Sequence, residues 1–290
     1  MARTRAWPSS RPVTAYFALA YAISLGVWLP RIATVQGWWQ VDVPEWWHYL
    51  GAAGPVSAAL LIAALSEGRE GVLGLLGQYS PRRAATPWLA FAVLSPLLLL
   101  SIALVTARLA DGAWPAYDEL ANAGDLPQLG LPITLAVHTL TFGVGEETGW
   151  RGFALPRLQR QRSAMQATRI LALFWGLWHL PSFLENDSMM DMGALQIFGW
   201  TVGLWMGAIF LTWLYNSSCG SLLTVVIWHG LFNQFAASEA SSTLAAVMSV
   251  GVIVIVIAAI RLAGPQELRG LSEHADRRRQ HPDRAPSPAG

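Results

Sequence analysis

The sequence contains no lysine, only one cysteine and few charged residues. All 19 basic residues are arginine, which excludes Schiff-base or acyl-enzyme chemistry at a lysine. The lone Cys219 excludes an intrachain disulfide and a cysteine-based metal cluster. Charged residues make up 13% of the 290 positions and hydrophobic residues 53%, whereas soluble domains carry about 25% charged residues. The composition therefore predicts a polytopic membrane protein.

Long apolar runs recur along the chain, each close to the roughly 20 residues that cross about 30 Å of hydrocarbon. The runs cover 13–29, 46–64, 87–109, 131–155, 170–183, 195–215, 221–237 and 243–260. They predict an all-α bundle of about eight transmembrane helices within a single domain, 13–263, with its core motifs in 131–237. The first run exceeds the roughly 7–15 residues of a signal-peptide core, so we interpret it as an uncleaved helix that ends at Pro30.

The loops between these runs alternate in charge, which predicts their side of the membrane. Arginines lie in segment 1–12, near 69–83, at 157–162 and after 261, and acidic residues lie near 42–45, 111–125, 185–191 and at 239. By the positive-inside rule, both termini are expected to be cytoplasmic. Because topology explains the arginines, nucleic-acid binding is not expected. The tail 264–290 is rich in Arg, Pro, Ser and Ala and is predicted to be disordered.

Two adjacent carboxylates and an arginine, in Gly145-Glu146-Glu147-Thr148-Gly149-Trp150-Arg151, end the fourth apolar run. Neighbouring residues of an α-helix point about 100° apart, so the two carboxylates are expected to have different roles. Glu147 and Arg151 are spaced for an i,i+4 ion pair. Glu146 has no local partner and is a candidate general base. Ionisable residues within a span are commonly functional.

Two later spans contribute histidines at a similar estimated depth. His179 follows Trp175 by one helical turn, and His229 shares a helix face with Asn233. At about 1.5 Å per residue, Glu146, His179, His229 and Asn233 all lie near the middle of the membrane. We interpret His138 as an ordinary interhelical hydrogen-bonding residue, since it lies about 80° from the face of Glu146.

A carboxylate, two imidazoles and an amide suit hydrolysis of a peptide bond. Glu146 could activate water, and donors could stabilise the oxyanion. His179 and His229 could hold a divalent metal, most plausibly zinc, or could donate to the oxyanion together with Asn233. The spacing leaves both possibilities open. No His-Glu-x-x-His motif is present.

The three motifs together resemble the CPBP family, the CAAX proteases and bacteriocin-processing (Abi) proteins. They are Glu146-Glu147-x-x-x-Arg151, Trp175-x-x-x-His179 and His229-x-x-x-Asn233. The resemblance covers about 131–233 and shows one departure, because the family usually has Phe where Trp175 stands. It implies an intramembrane, metalloprotease-like endopeptidase in which Glu146 activates water. By the same resemblance, His179, His229 and Asn233 complete the active site, while Glu147, Arg151 and Trp175 support it.

The resemblance also implies a membrane-associated protein or peptide as substrate, in a lipid bilayer that is expected to be the bacterial cytoplasmic membrane. The oligomeric state is open at this point. Two other functions are compatible with the motifs. One is a catalytically silent membrane scaffold or bacteriocin-immunity protein. The other, ranked lowest, is a transporter that uses the buried Glu and His residues as a relay.

Overall fold

The chain folds as an all-α bundle, which confirms the predicted fold class. A computed structural model describes residues 11–123, 125–238, 240–264 and 268. Within these ranges every regular element is a helix, apart from one isolated bridge between Ala123 and Ser238. The predicted N-terminal segment 1–12 and the predicted disordered tail 264–290 lie almost wholly outside the described residues.

Eleven α-helices are interleaved with short 3-10 and π segments in the described part of the chain. The α-helices, numbered in chain order, are α1 (Pro12–Val35), α2 (Ala53–Leu76), α3 (Thr86–Asp111), α4 (Tyr117–Ala121), α5 (Leu131–His138), α6 (Leu155–Gln159), α7 (Ala164–Trp178), α8 (Asp187–Met190), α9 (Ala194–Ser217), α10 (Leu222–Ala236) and α11 (Ser242–Ala263). The 3-10 segments are Glu45–Ala52, Gly77–Tyr79 and Leu180–Leu184, and the two π segments are Thr139–Glu146 and Thr148–Ala154.

In the described ranges, five helices are long and apolar enough to cross a membrane, and they make the chain a multi-pass membrane protein. They are α1, the helical stretch Glu45–Tyr79, which is interrupted at Gly68 (φ 67°), α3, α9 and α11. The other three predicted spans are shorter or composite: the run from α5 to α6 includes both π segments, α7 has 15 residues, and α10 has 15. The total of eight spans therefore stays a prediction.

Several predicted boundaries differ from the structure: the second run was predicted to end at 64, whereas α2 continues to Leu76 beyond a break at Gly68. The first span does not end at Pro30, because α1 continues through this proline to Val35. Arg31 anchors the extra turn by donating to the backbone carbonyl of Val43 at 2.8 Å. The fifth span begins earlier than 170, at Ala164, because Ser163 accepts a hydrogen bond from the backbone N–H of Gln166 and caps the helix there.

The chain around the two adjacent carboxylates is π-helical, which the α-helical geometry assumed from the sequence did not anticipate. Runs of π-helix are rare and occur frequently at functional sites. Side chains donate to backbone carbonyls along this stretch, as Thr141 does to Val137 at 2.7 Å and Gln78 to Gly152 at 3.1 Å. Such donors form hydrogen bonds with carbonyls that, in a regular α-helix, would accept from backbone N–H groups alone.

The π segments lie in the middle of the bundle, between α2 on one side and α10 on the other. Glycines permit this close packing. A Cβ added at Gly143 would lie 2.8 Å from the carbonyl oxygen of Val226 in α10, and one at Gly145 would lie 2.9 Å from Ala52. The stretch that carries the carboxylates is thus held closely from two directions.

Contacts between loops show which connections lie together at each end of the bundle. At one end Arg157 pairs with Glu67, and the guanidinium of Arg83 donates to the carbonyl of Cys219. At the other end His48 pairs with Glu185, and Asn186 donates to Asp125. This grouping matches the basic and acidic sets of loops in the sequence, with Arg31 as a basic residue at the acidic end.

Candidate active site

Glu146 lies at the end of the first π segment and is 1% exposed. Its Oε2 accepts a hydrogen bond from the indole Nε1 of Trp175, in α7, at 2.6 Å. Among the described residues no hydrogen bond reaches its other oxygen, Oε1. The carboxylate is therefore held at one oxygen and available at the other.

Glu147 points to different partners, as expected from its adjacent position in the helix. Its Oε1 accepts from Arg151 Nη1 at 2.8 Å and is also 2.8 Å from His229 Nδ1, and the carboxylate is fully buried. The contact with Arg151 is the i,i+4 pair that the spacing predicts, whereas the contact with His229 arises only from the tertiary fold. Because Glu147 and Arg151 neutralise one another, Glu146 is the carboxylate without a compensating arginine.

Trp175 lies at the centre of this cluster and contacts residues from three elements. The guanidinium carbon of Arg151 sits 4.6 Å from the centroid of its ring. The imidazoles of His179 and His229 meet the same indole edge-on, with ring centroids 5.6 Å and 6.0 Å away. The structure thus brings Glu146, His179 and His229 around a single indole.

Both histidines have their Nδ1 atoms engaged. His179 Nδ1 is 2.8 Å from the carbonyl oxygen of Trp175, and His229 Nδ1 contacts the carboxylate of Glu147. A carbonyl or carboxylate oxygen can only accept, so each Nδ1 carries the proton and each Nε2 is left for chemistry. Anchoring of one ring nitrogen by an oxygen acceptor is typical of metal-binding histidines.

The arrangement does not supply a complete set of protein ligands for a metal. Among the described residues, no group of three or more His, Cys, Asp or Glu side chains is placed to hold an ion. Catalytic zinc sites commonly use three protein ligands. The two predicted ligands, His179 and His229, offer at most two imidazole nitrogens, so we derive no catalytic step through a metal.

Asn233 is the predicted catalytic residue with the fewest described contacts to the rest of the cluster. It lies one turn beyond His229 in α10 and is partly exposed. Within the described part of the chain, no side-chain hydrogen bond joins it to Glu146, His179 or His229. Its place on the face of His229 follows from the helix alone.

Three aromatic residues of the cluster were not singled out in the sequence. Trp178 and Trp200 both meet the ring of His179 edge-on, with centroids 5.0 Å and 5.6 Å away, and Phe142 packs against His229 at 6.2 Å. Trp178 adjoins His179 in the sequence and could have been suspected. Trp200 comes from α9, and only the packing of α7 against α9 brings it near.

His138 lies outside this cluster, in agreement with its interpretation as an interhelical hydrogen-bonding residue. It is fully buried, and its Nε2 is 3.2 Å from the hydroxyl of Tyr49, which donates to Asp125 at 2.8 Å. Asp125 also accepts from Asn186. These residues tie together connections at the acidic end of the bundle.

Comparison with known proteins shows that the same region is similar to a protease family. Residues 128–235 match the model of the type II CAAX prenyl endopeptidase Rce1-like family. A segment of 127 residues is 31% identical to the CAAX prenyl protease 2 of Methanococcus maripaludis, covering 40% of this chain and 45% of that protein. The matched range contains every predicted site residue and confirms the resemblance to the CPBP family.

Proposed function

We propose that the chain is a membrane-embedded endopeptidase, because residues 128–235 match the model of the type II CAAX prenyl endopeptidase Rce1-like family. The observation that supports this most directly is the position of Glu146. It is a buried carboxylate with one oxygen held by Trp175 and no arginine partner of its own. Two imidazoles lie near it, and their Nε2 atoms have no hydrogen-bond partner among the described residues.

In the proposed reaction, Glu146 Oε1 takes a proton from a water molecule as the water oxygen attacks the scissile carbonyl carbon. A C–O bond forms, and the carbonyl π electrons move to its oxygen. When the tetrahedral intermediate collapses, the C–N bond breaks and Glu146 delivers its proton to the leaving amine. The side chain ends in the ionised state in which it began.

The attacking water and the oxyanion would be hydrogen-bonded by His179, His229 and Asn233. An imidazole with Nε2 unprotonated can accept from the attacking water, whereas one protonated at both nitrogens donates to the developing oxyanion. The amide of Asn233 is a second donor on the face of His229. Zinc bound by His179 and His229 stays a prediction, and metal analysis of the purified wild type and His179→Ala would test it.

The names of the family and of the relative support the proposed substrate class. We propose a membrane-associated protein or peptide that ends in a prenylated Cys-aliphatic-aliphatic-X sequence. The matched segment spans 45% of the archaeal relative, so activity of the whole chain is itself part of the proposal. We further propose the cytoplasmic membrane as its location, with the arginine-rich end of the bundle facing the cytoplasm.

The test compares new protein termini in membranes of cells that produce the wild type, Glu146→Gln or Glu70→Gln at matched levels. Glu70 is exposed, so its variant controls for the same chemical change outside the cluster. We expect termini that appear with the wild type and Glu70→Gln and disappear with Glu146→Gln. Cleavage of a farnesylated probe peptide, with its unprenylated twin alongside, would then assign the substrate class.

Full cleavage by Glu146→Gln would contradict the proposed role of this carboxylate. A cellular phenotype that survives Glu146→Gln and His179→Ala, with no change in termini, would instead indicate the silent scaffold or immunity protein.

A further inference from the structure

We propose that Trp175 is a positioning residue for Glu146. Its indole N–H holds one oxygen of the carboxylate, so that the other oxygen faces the water to be activated. This inference rests on the proposed catalytic role of Glu146. It assigns to the N–H of Trp175 a function that a phenylalanine at the same place could not perform.

The hydrogen bond is short and enclosed. Nε1 of Trp175 and Oε2 of Glu146 are 2.6 Å apart, and the two residues are 6% and 1% exposed. A donor to an ionised oxygen forms a charge-assisted bond, roughly twice as strong as a neutral one. Burial also lowers the local dielectric, which strengthens the bond electrostatically.

This bond is the only described one to the Glu146 side chain, so it decides the orientation of the carboxylate. The terminal torsion of a glutamate is broad and roughly two-fold, and sterics alone fix it poorly. A single donor on Oε2 selects one orientation and leaves Oε1 directed away from the indole. General-base catalysis needs the accepting oxygen within hydrogen-bond reach of the water.

The indole itself is fixed on several sides. Arg151 lies over its ring at 4.6 Å, and His179 and His229 meet it edge-on. The backbone carbonyl of Trp175 also accepts from His179 Nδ1 at 2.8 Å. One residue therefore sets Glu146 relative to both imidazoles, and loss of its N–H is expected to affect the reaction more than the fold.

The alternative is that Trp175 only fills space. In that case the ring would matter and the N–H would not. Trp175→Phe separates the two, because phenylalanine keeps an aromatic ring at the same place and removes the donor. Trp228→Phe is the matched control. Trp228 is 2% exposed, and its Nε1 donates to Ser95 Oγ at 3.0 Å, away from the cluster.

The experiment uses the full-length protein in proteoliposomes with the farnesylated probe peptide. We expect Trp175→Phe to lower kcat by about tenfold to a hundredfold, as loss of a hydrogen bond to a charged group commonly does, and to leave KM unchanged. Trp228→Phe is expected to keep kcat within about twofold while it lowers thermal stability slightly, since the half-buried hydroxyl of Ser95 loses its hydrogen-bond donor.

Three results would overturn the proposal: wild-type kcat in Trp175→Phe, a fall no larger than in Trp228→Phe, or a rise in KM at unchanged kcat. The last would assign the ring to substrate binding. If Trp175→Phe does not fold, benzothienylalanine at position 175 replaces it, because sulfur takes the place of the N–H in a ring of similar size. Full activity of that protein would equally overturn the proposal.

Failure of the proposed function is distinguished by the same assay. If wild type and Glu146→Gln do not differ on the probe, the catalytic role of Glu146 fails, and the positioning role fails with it. If they differ and Trp175→Phe matches the wild type, only the positioning role fails.

Discussion

At the scale of single residues, the two adjacent glutamates illustrate how a membrane protein separates a functional charge from a structural one. Glu147 is neutralised by Arg151 and contacts His229, whereas the one described hydrogen bond to the Glu146 side chain comes from the indole of Trp175. A buried charge is stable only when it is paired or hydrogen-bonded. The different partners of the two carboxylates therefore favour a structural role for Glu147 and a chemical one for Glu146.

Replacement of Glu147 by glutamine is expected to destabilise the protein strongly. It leaves Arg151, which is fully buried, without a compensating charge, and breaking such a pair commonly costs about 3–5 kcal/mol. His229 also loses its anionic partner, so activity is expected to fall as well. Thermal unfolding in detergent would measure the loss of stability.

The matched control for this prediction is Glu67→Gln. Glu67 pairs with Arg157, but its side chain is 39% exposed, and exposed pairs contribute about 0–1 kcal/mol. Equal stability losses in the two variants would contradict the structural role assigned to Glu147.

At the scale of elements, the π-helical stretch is the feature that positions the site. The two π segments flank Glu147 and pack between α2 and α10. Their glycines bring backbones close together, and Gly145 immediately precedes the proposed base. The local geometry of Glu146 thus depends on how closely this stretch approaches the start of α2.

Substitution Gly145→Ala is expected to destabilise the protein by about 1–3 kcal/mol, the usual effect of overpacking. The added Cβ would lie 2.9 Å from both Cβ and the carbonyl oxygen of Ala52, so backbone must move. We expect activity to fall with stability because the movement displaces Glu146. Unfolding temperature and probe cleavage would be measured together.

Gly207→Ala in α9 is the control, because apart from the adjoining backbone of its own helix no atom lies within 4 Å of its added Cβ. Alanine is favoured over glycine in helices by about 1 kcal/mol, so this variant is expected to be as stable as the wild type or slightly more so. A stable, fully active Gly145→Ala would show that the close approach does not support the site.

At the scale of the whole molecule, the loops form a basic end and an acidic end. One end contains the pair of Arg157 with Glu67 and the contact of Arg83 with Cys219. His48, Asp125 and Glu185 belong to the other. This arrangement agrees with the charge alternation of the loops and supports, as a proposal, a cytoplasmic face at the arginine-rich end.

Cysteine labelling is expected to report this orientation. In a Cys219→Ser background, Ser188→Cys should react with a membrane-impermeant thiol reagent in intact cells, and Arg160→Cys only after the membrane is opened. Both positions are exposed, at opposite ends of the bundle. Labelling of Arg160→Cys in intact cells would reverse the proposed topology.

The sequence by itself determined the all-α membrane class, the motif region and the pairing of Glu147 with Arg151. These follow from hydrophobic run length and from spacing along one helix, both of which are local properties. It also made His179 and His229 candidate site residues, because ionisable residues are rare within apolar runs. The predicted end of α1 and the predicted start of α7 were wrong. Arg31 and the Ser163 cap extend these helices through contacts that the length of an apolar run does not indicate.

Only the tertiary structure decided which side chains meet. The indole of Trp175 reaches Glu146 across 29 residues of sequence, and His229 reaches Glu147 across 82. Such contacts depend on the packing of helices that are distant in sequence, and here also on a π-helical stretch that no hydrophobic period indicates. The orientation of the proposed base is therefore a property of the bundle, because its one described hydrogen-bond donor comes from another helix.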